Sequence, residues 1–170
     1  MIILLLLSGC TKAASKEPLF EFDSNGDYSG FSDIPTDYTA EQAEKDGCYV
    51  SLDSKTISGE KQWKDFIRDA SNEKEASIRL VSIVDNSTYY LDIFYLDGFY
   101  RMFDSSSVDL KDHKYKYLLT VEGTMPNANK SGKVNILTDD KELSYYDVMW
   151  SFLSSDSHYS EAISPFKLIN

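Results

Sequence analysis

Ser154, Ser155, Asp156 and His158 fall within five residues and bring together the three side-chain types of a hydrolytic triad. Triad members usually arrive from separate elements, so adjacency is weak evidence, and such a run just after a helix is expected to be a solvated loop. His113 is the only other histidine; two histidines without a His-x-x-x-His spacing offer no zinc ligand set. Asp23, Asn25 and Asp27 have the alternate spacing that opens a calcium loop, yet Tyr28 stands where the loop needs Gly and Ile34 where it needs a bidentate Glu. "EGTMPNANKSGKV" is no phosphate loop, because eight residues rather than four separate Gly123 from Gly132, and Val134 replaces the required Ser or Thr. Carboxylates are plentiful, but no spacing dictates the paired geometry of a glycosidase. We therefore expect no cofactor and no metal, and assign no catalytic residue.

The remaining chemically distinctive residue is Cys10. It ends the opening stretch "MIILLLLSGC", whose apolar run from Ile2 to Leu7 is far shorter than the about 20 residues that span a bilayer as a helix. The run has the size and flank of the apolar centre of an export signal. Leu7-Ser8-Gly9-Cys10 resembles the lipobox of bacterial lipoproteins. The resemblance implies thioether lipidation at Cys10 and cleavage between Gly9 and Cys10, and it leaves the freed amine open to acylation. Two chains on one residue give stable anchoring where one is marginal. An export signal should begin with positive charge, and no Lys or Arg precedes Cys10, so the expectation is a start upstream of Met1. Residues 1–9 are then the signal peptide.

A net charge of −11 over 170 residues excludes nucleic acid as a partner, since phosphates require a basic face. It equally opposes electrostatic docking on anionic lipid, which leaves acylated Cys10 as the contact with membrane lipid. With Cys10 acylated, Cys48 has no disulfide partner and is expected to be a small buried residue at the start of a strand. From Thr11 to Asp37 the chain is polar, contains Pro18 and Pro35 and has no sustained period; residues 10–37 read as the lipidated Cys and a flexible tether of roughly 30 Å.

The elements begin at "DYTAEQAEKDG". Thr39 and Gln42 form a capping box, and Gly47 suits the left-handed residue that ends the helix. A strand follows over Cys48 to Leu52. In "SGEKQWKDFIRDAS", Trp63, Phe66, Ile67 and Ala70 fall at i, i+3, i+4 and i+7, one core-facing stripe with Ser58 as its cap. The period then changes to two. "SIRLVSIV" and "STYYLDIFYLDGFYRMFDS" read as strands, the second divided by a type I′ turn at Asp97-Gly98. That turn sets Leu96 opposite Phe99, Tyr95 opposite Tyr100, Phe94 opposite Arg101 and Ile93 opposite Met102, and makes Asp92 and Arg101 diagonal neighbours able to pair. The twelve Tyr include Tyr89, Tyr90, Tyr95, Tyr100, Tyr115 and Tyr117 on these strands, an aromatic set suited to stacking sugars or gripping a peptide, and equally to filling half-buried strand positions. "KYKYLLTVEG" and "KVNILTDD" add two strands, Ser144 and Asp147 open a helix that Leu143 staples to Val148, and Pro165 places the last strand at an edge. The expectation for residues 38–170 is one α+β domain, a twisted antiparallel sheet with two main helices packed on one face.

"DYTAEQAEKDGCYV", "EKQWKDFIRDASNEKEASIRLVSI", "IFYLDGFYRMF" and "VEGTMPNA" together resemble a family of small lipoproteins of low-GC Gram-positive bacteria that carry a domain of unknown function. The resemblance implies an anchor on the extracytoplasmic face of the cell membrane and supplies no catalytic motif. The expected function is a non-catalytic binding or interaction domain for a peptide, a wall polymer or a membrane-protein partner. The alternatives are an envelope hydrolase using unidentified carboxylates and an accessory subunit of a membrane sensor or transporter.

Overall fold

A computed structural model describes residues 17–125, 129, 131–153 and 163–166. Helix α1 (Ala40–Lys45) is followed by strands β1 (Tyr49–Leu52) and β2 (Lys55–Ser58), helix α2 (Glu60–Ser71), and strands β3 (Ala76–Val84), β4 (Ser87–Leu96) and β5 (Phe99–Asp104). Strands β6 (Tyr117–Gly123) and β7 (Gly132–Thr138), helix α3 (Tyr145–Leu153) and strand β8 (Ile163–Phe166) complete it. The fold is a single α+β domain with a mostly antiparallel five-stranded sheet, ordered β2-β1-β3-β4-β5, and a second sheet ordered β6-β7-β8. Only β1 and β3 run parallel within the larger sheet.

The turn at Asp97-Gly98 has the expected positive φ at both central residues, 54° and 80°, and the register it sets is the one observed across β4 and β5. The same backbone recurs at Asp53-Ser54 and Asp85-Asn86, which close the β1–β2 and β3–β4 hairpins. Asp and Asn tolerate the left-handed region because their short side chains bond the local backbone. Both capping boxes form. Gln42 N donates to Thr39 Oγ1 at 3.2 Å while Thr39 N donates to Gln42 Oε1 at 2.7 Å, and Ser144 and Asp147 reciprocate at the start of α3. β8 lies at an edge, as Pro165 requires.

Ser58 does not cap α2. It lies in β2 with its hydroxyl unpartnered among the described residues, and Gly59 at φ +91° is the N-cap. A Cβ on Gly59 would sit 2.3 Å from the Tyr49 Cα, so the helix can approach β1 only through glycine.

Alternation assigns each strand two faces. Ile78, Leu80, Ile93 and Tyr95 meet the α2 stripe of Trp63, Phe66, Ile67 and Ala70, together with Leu118 and Leu137 of the second sheet. Val134 and Ile136 point the opposite way from Leu137 and pack under Val148 of α3. The opposite face of the large sheet carries Val81 beneath Ala43 of α1, and Phe94 and Phe103 beneath Phe20, Phe22, Tyr28 and Phe31. The layers are therefore an N-terminal strap with α1, the large sheet, α2 with the small sheet, and α3.

The strap revises the expected organisation. Residues 17–37 lack any period, yet four aromatic rings among them pack on the sheet, and Tyr28 stacks on Phe103 with centroids 4.0 Å apart. The folded body thus begins by residue 17 rather than 38, because isolated rings at irregular spacing bury as well as periodic ones.

Candidate binding cleft

The most deeply buried ionic group lies under the strap. Arg79 and Asp92 are direct partners across β3 and β4, and the Asp92 carboxylate is wholly inaccessible. Arg79 Nε donates to Asp92 Oδ1 and Nη2 to Oδ2, each at 2.6 Å, and Tyr28 Oη donates to Oδ2 at 2.6 Å. Arg79 Nη2 also donates to the Gly30 carbonyl at 2.9 Å, and its guanidinium lies 5.8 Å from the centre of the Phe31 ring. Burial pushes the Asp92 carboxyl above the usual range, opposed by the bonds from Arg79 and Tyr28. Burial, then the adjacent carboxylate, raises the Tyr28 phenol. For Arg79 burial acts downward, but the bonds and charge of Asp92 outweigh it and keep the guanidinium charged. This knot ties the strap to the sheet.

The expected Asp92–Arg101 pair does not form. Directly opposed residues across antiparallel strands are closer than diagonal ones, so Arg79 claims Asp92. Arg101 instead donates through Nη1 to the Leu96 carbonyl at 2.7 Å, places Nε 3.0 Å from Asp112 Oδ1 without hydrogen-bond alignment, and lies 5.2 Å from the Phe20 ring centre.

Leu7, Ser8, Gly9 and Cys10, and likewise Ser154, Ser155, Asp156 and His158, lie outside the described residues. His113 is on an exposed loop, with Nε2 2.9 Å from Asp109 Oδ2. Asp23 Oδ1 accepts from the backbone nitrogens of Asn25 and Asp27, and the Lys111 ammonium reaches Asp27 at 2.9 Å and the Asn25 carbonyl at 2.7 Å. These three residues thus build a turn closed by a lysine. Cys48 is buried as expected, and burial raises its thiol. Among the described residues the strand tyrosines form no continuous aromatic face: Tyr95 and Tyr100 meet in the core with centroids 4.8 Å apart, Tyr90 packs beside Tyr38, and Tyr89 is exposed.

Two open clefts flank α2. One, of about 260 Å³, is bordered by carboxylates that include Glu17, Asp46, Asp65, Asp69 and Glu75. The Lys61 hydrogen bond holds Asp65 below the usual carboxylate range, and that of Arg68 does the same for Asp69. The other, of about 340 Å³, separates α2 from the second sheet and is lined by Tyr49, Glu60, Trp63, Lys64, Thr120, Lys133 and Asn135.

The second cleft has the more specific chemistry. Tyr49 is buried at its base, and its hydroxyl bonds Thr56 at 2.6 Å, which fixes the ring. Trp63 belongs to the helical stripe but stands at its margin, only partly covered, with its ring 5.7 Å from Phe66. Asn135 is 6% exposed, and its Oδ1 accepts from Thr120 Oγ1 at 2.7 Å. That bond orients the amide, and among the described residues Nδ2 has no hydrogen-bond partner. Lys64 on α2 and Lys133 on β7 stand on opposite walls, and neither forms an ion pair among the described residues. No motif or spacing in the sequence singles out Asn135. Its only signal is a lone amide within the otherwise apolar "VNIL", and both neighbours on that strand are buried.

Comparison with known protein families, with curated proteins and with solved structures finds no match.

Proposed function

We propose that the chain is a lipid-anchored domain on the extracytoplasmic face of a bacterial membrane, and that it binds a ligand in the cleft between α2 and the second sheet without transforming it. The observation that carries the binding reading is the lining of that cleft. It combines two aromatic rings, an oriented amide and two ammonium groups with a single carboxylate, that of Glu60. Ligand sites are concave, aromatic-lined and fixed by a few polar groups in this way. Glycoside hydrolysis ordinarily needs two carboxyl groups facing each other across the substrate, one of them able to donate a proton. The carboxylate-rich cleft does not supply that donor from Asp65 or Asp69, which Lys61 and Arg68 hold ionised.

The anchor rests on Leu7-Ser8-Gly9-Cys10. No helix among the described residues is long and apolar enough to cross a membrane. The packed strap shortens the proposed tether to the six residues between Cys10 and Glu17, whose fully extended reach is about 25 Å. The cleft then works close to the bilayer, within reach of the inner wall, a peptide or a membrane-protein partner.

The test is intact mass and membrane partitioning of the native protein beside Cys10→Ala. The expected native species begins at Cys10 with a diacylglyceryl adduct and sediments with membranes, and the variant loses both properties. An unmodified Met1 species in the cytoplasm would overturn the reading.

A further inference from the structure

The cleft between α2 and the second sheet is cationic within a protein of net charge −11, and this local reversal narrows its ligand. Three observations bear on it. Lys64 and Lys133 line the same opening from α2 and β7, and neither forms an ion pair among the described residues. The Asn135 amide is nine-tenths buried with its acceptor oxygen already used, so what it offers the cavity is a donor. The partly covered Trp63 indole and the buried Tyr49 ring present apolar surface beside these polar groups.

We infer that this cleft is a subsite for one ring of an acidic saccharide: the ring packs on Trp63, an oxygen acceptor on it receives the Asn135 amide hydrogen, and an anionic substituent lies between Lys64 and Lys133. This inference rests on the envelope-binding reading and specifies its ligand. A sugar has an apolar C–H face and a polar perimeter, which matches an aromatic wall edged by hydrogen-bonding groups. The volume is at the small end of the roughly 300–1,000 Å³ of ligand pockets, suited to one or two rings. A polyanion such as a nucleic acid would meet the negative body beyond the cleft. A single substituent within the screening length of about 8 Å responds chiefly to the two lysines. Glu60, at the start of α2, can accept from a ring hydroxyl and disfavours a second negative charge on that side.

The experiment uses the full chain carrying Cys10→Ala and Trp150→Phe, which leaves Trp63 as the only tryptophan. Its fluorescence is titrated with N-acetylmuramic acid, with N-acetylglucosamine 6-phosphate and with neutral N-acetylglucosamine. The expected result is a saturable change with an anionic sugar, at least about fivefold tighter than with the neutral one. That preference should disappear in Lys64→Gln/Lys133→Gln, whose exposed side chains are not needed for folding. The tighter of the two anionic sugars identifies a carboxylate or a phosphate as the natural substituent. Absence of saturation with both, or a preference that survives the double substitution, overturns the inference. If the protein still co-sediments with purified wall while Trp63 does not respond, the saccharide subsite falls and the envelope-binding reading stands. If the native chain is cytoplasmic and unmodified, that reading falls whatever Trp63 does.

Discussion

Arg79→Met would leave the inaccessible Asp92 carboxylate with Tyr28 as its one remaining side-chain partner, and an uncompensated buried charge of this kind costs about 3–5 kcal/mol. Tyr28→Phe removes one hydrogen bond to the same carboxylate and should cost roughly 1.5–3 kcal/mol. Urea unfolding of both variants tests the order, and a smaller loss for Arg79→Met would show that Asp92 takes up a proton and is buried neutral once the guanidinium is gone. Asp92 and Arg101 illustrate how far such contacts can be read from sequence. The Asp97-Gly98 turn placed them diagonally and the placement holds, but the carboxylate pairs with Arg79, which sits directly across on β3. Choosing between two arginines required knowing which strand lies on the other side of β4.

At the scale of single elements, local signals were the most legible. The cap of α3 also carries a pH dependence. Ser144 donates through its hydroxyl at 2.6 Å and its backbone nitrogen at 2.9 Å to Asp147, and these bonds hold that carboxyl below its ordinary range. A carboxyl with a depressed folded value contributes stability above its unfolded value and loses it as pH falls through the folded one. The difference in Tm between wild type and Asp147→Asn should therefore be present at neutral pH and close below about pH 4. A gap that stays constant to pH 2 would place the cap's contribution outside this carboxylate. The entry to α2 is where local reading failed. A serine before an amphipathic run is a good cap in isolation, yet the close approach of the helix to Tyr49 admits only Gly59. Gly59→Ala should cost at least about 1 kcal/mol and clearly more than Gly26→Ala, where the backbone φ is also positive but nothing lies within 4 Å. Equal losses in thermal melts would mean that α2 shifts to relieve the contact.

Across the whole molecule, the strap changes the picture of how the domain is held. Its rings cover Phe94 and Phe103, and burying such side chains contributes about 1.5–3 kcal/mol each. Limited proteolysis of the native protein is expected to leave the bonds of residues 17–37 intact until the domain itself unfolds, a resistance that a flexible tether could not show. Rapid cutting there, with the remaining fragment still cooperatively folded, would return this segment to the tether. The two sheets have a comparable consequence for the cleft. Trp63 comes from α2, and Asn135 and Lys133 come from β7; they meet because Leu137 and Leu118 bury against the same core as the helix stripe.

Sequence alone determined what depends on neighbours in the chain: the capping boxes, the helical stripe of α2, the hairpin register at Asp97-Gly98, the edge position of the last strand and the α+β class. Each follows from backbone preferences or a periodicity that operates over a few residues. Only the tertiary structure decided the partner of Asp92, the burial of the strap, the division of the strands into two sheets and the cleft between α2 and β7. Those outcomes depend on which distant apolar faces meet. A face buried by one partner looks the same in the sequence as a face buried by another.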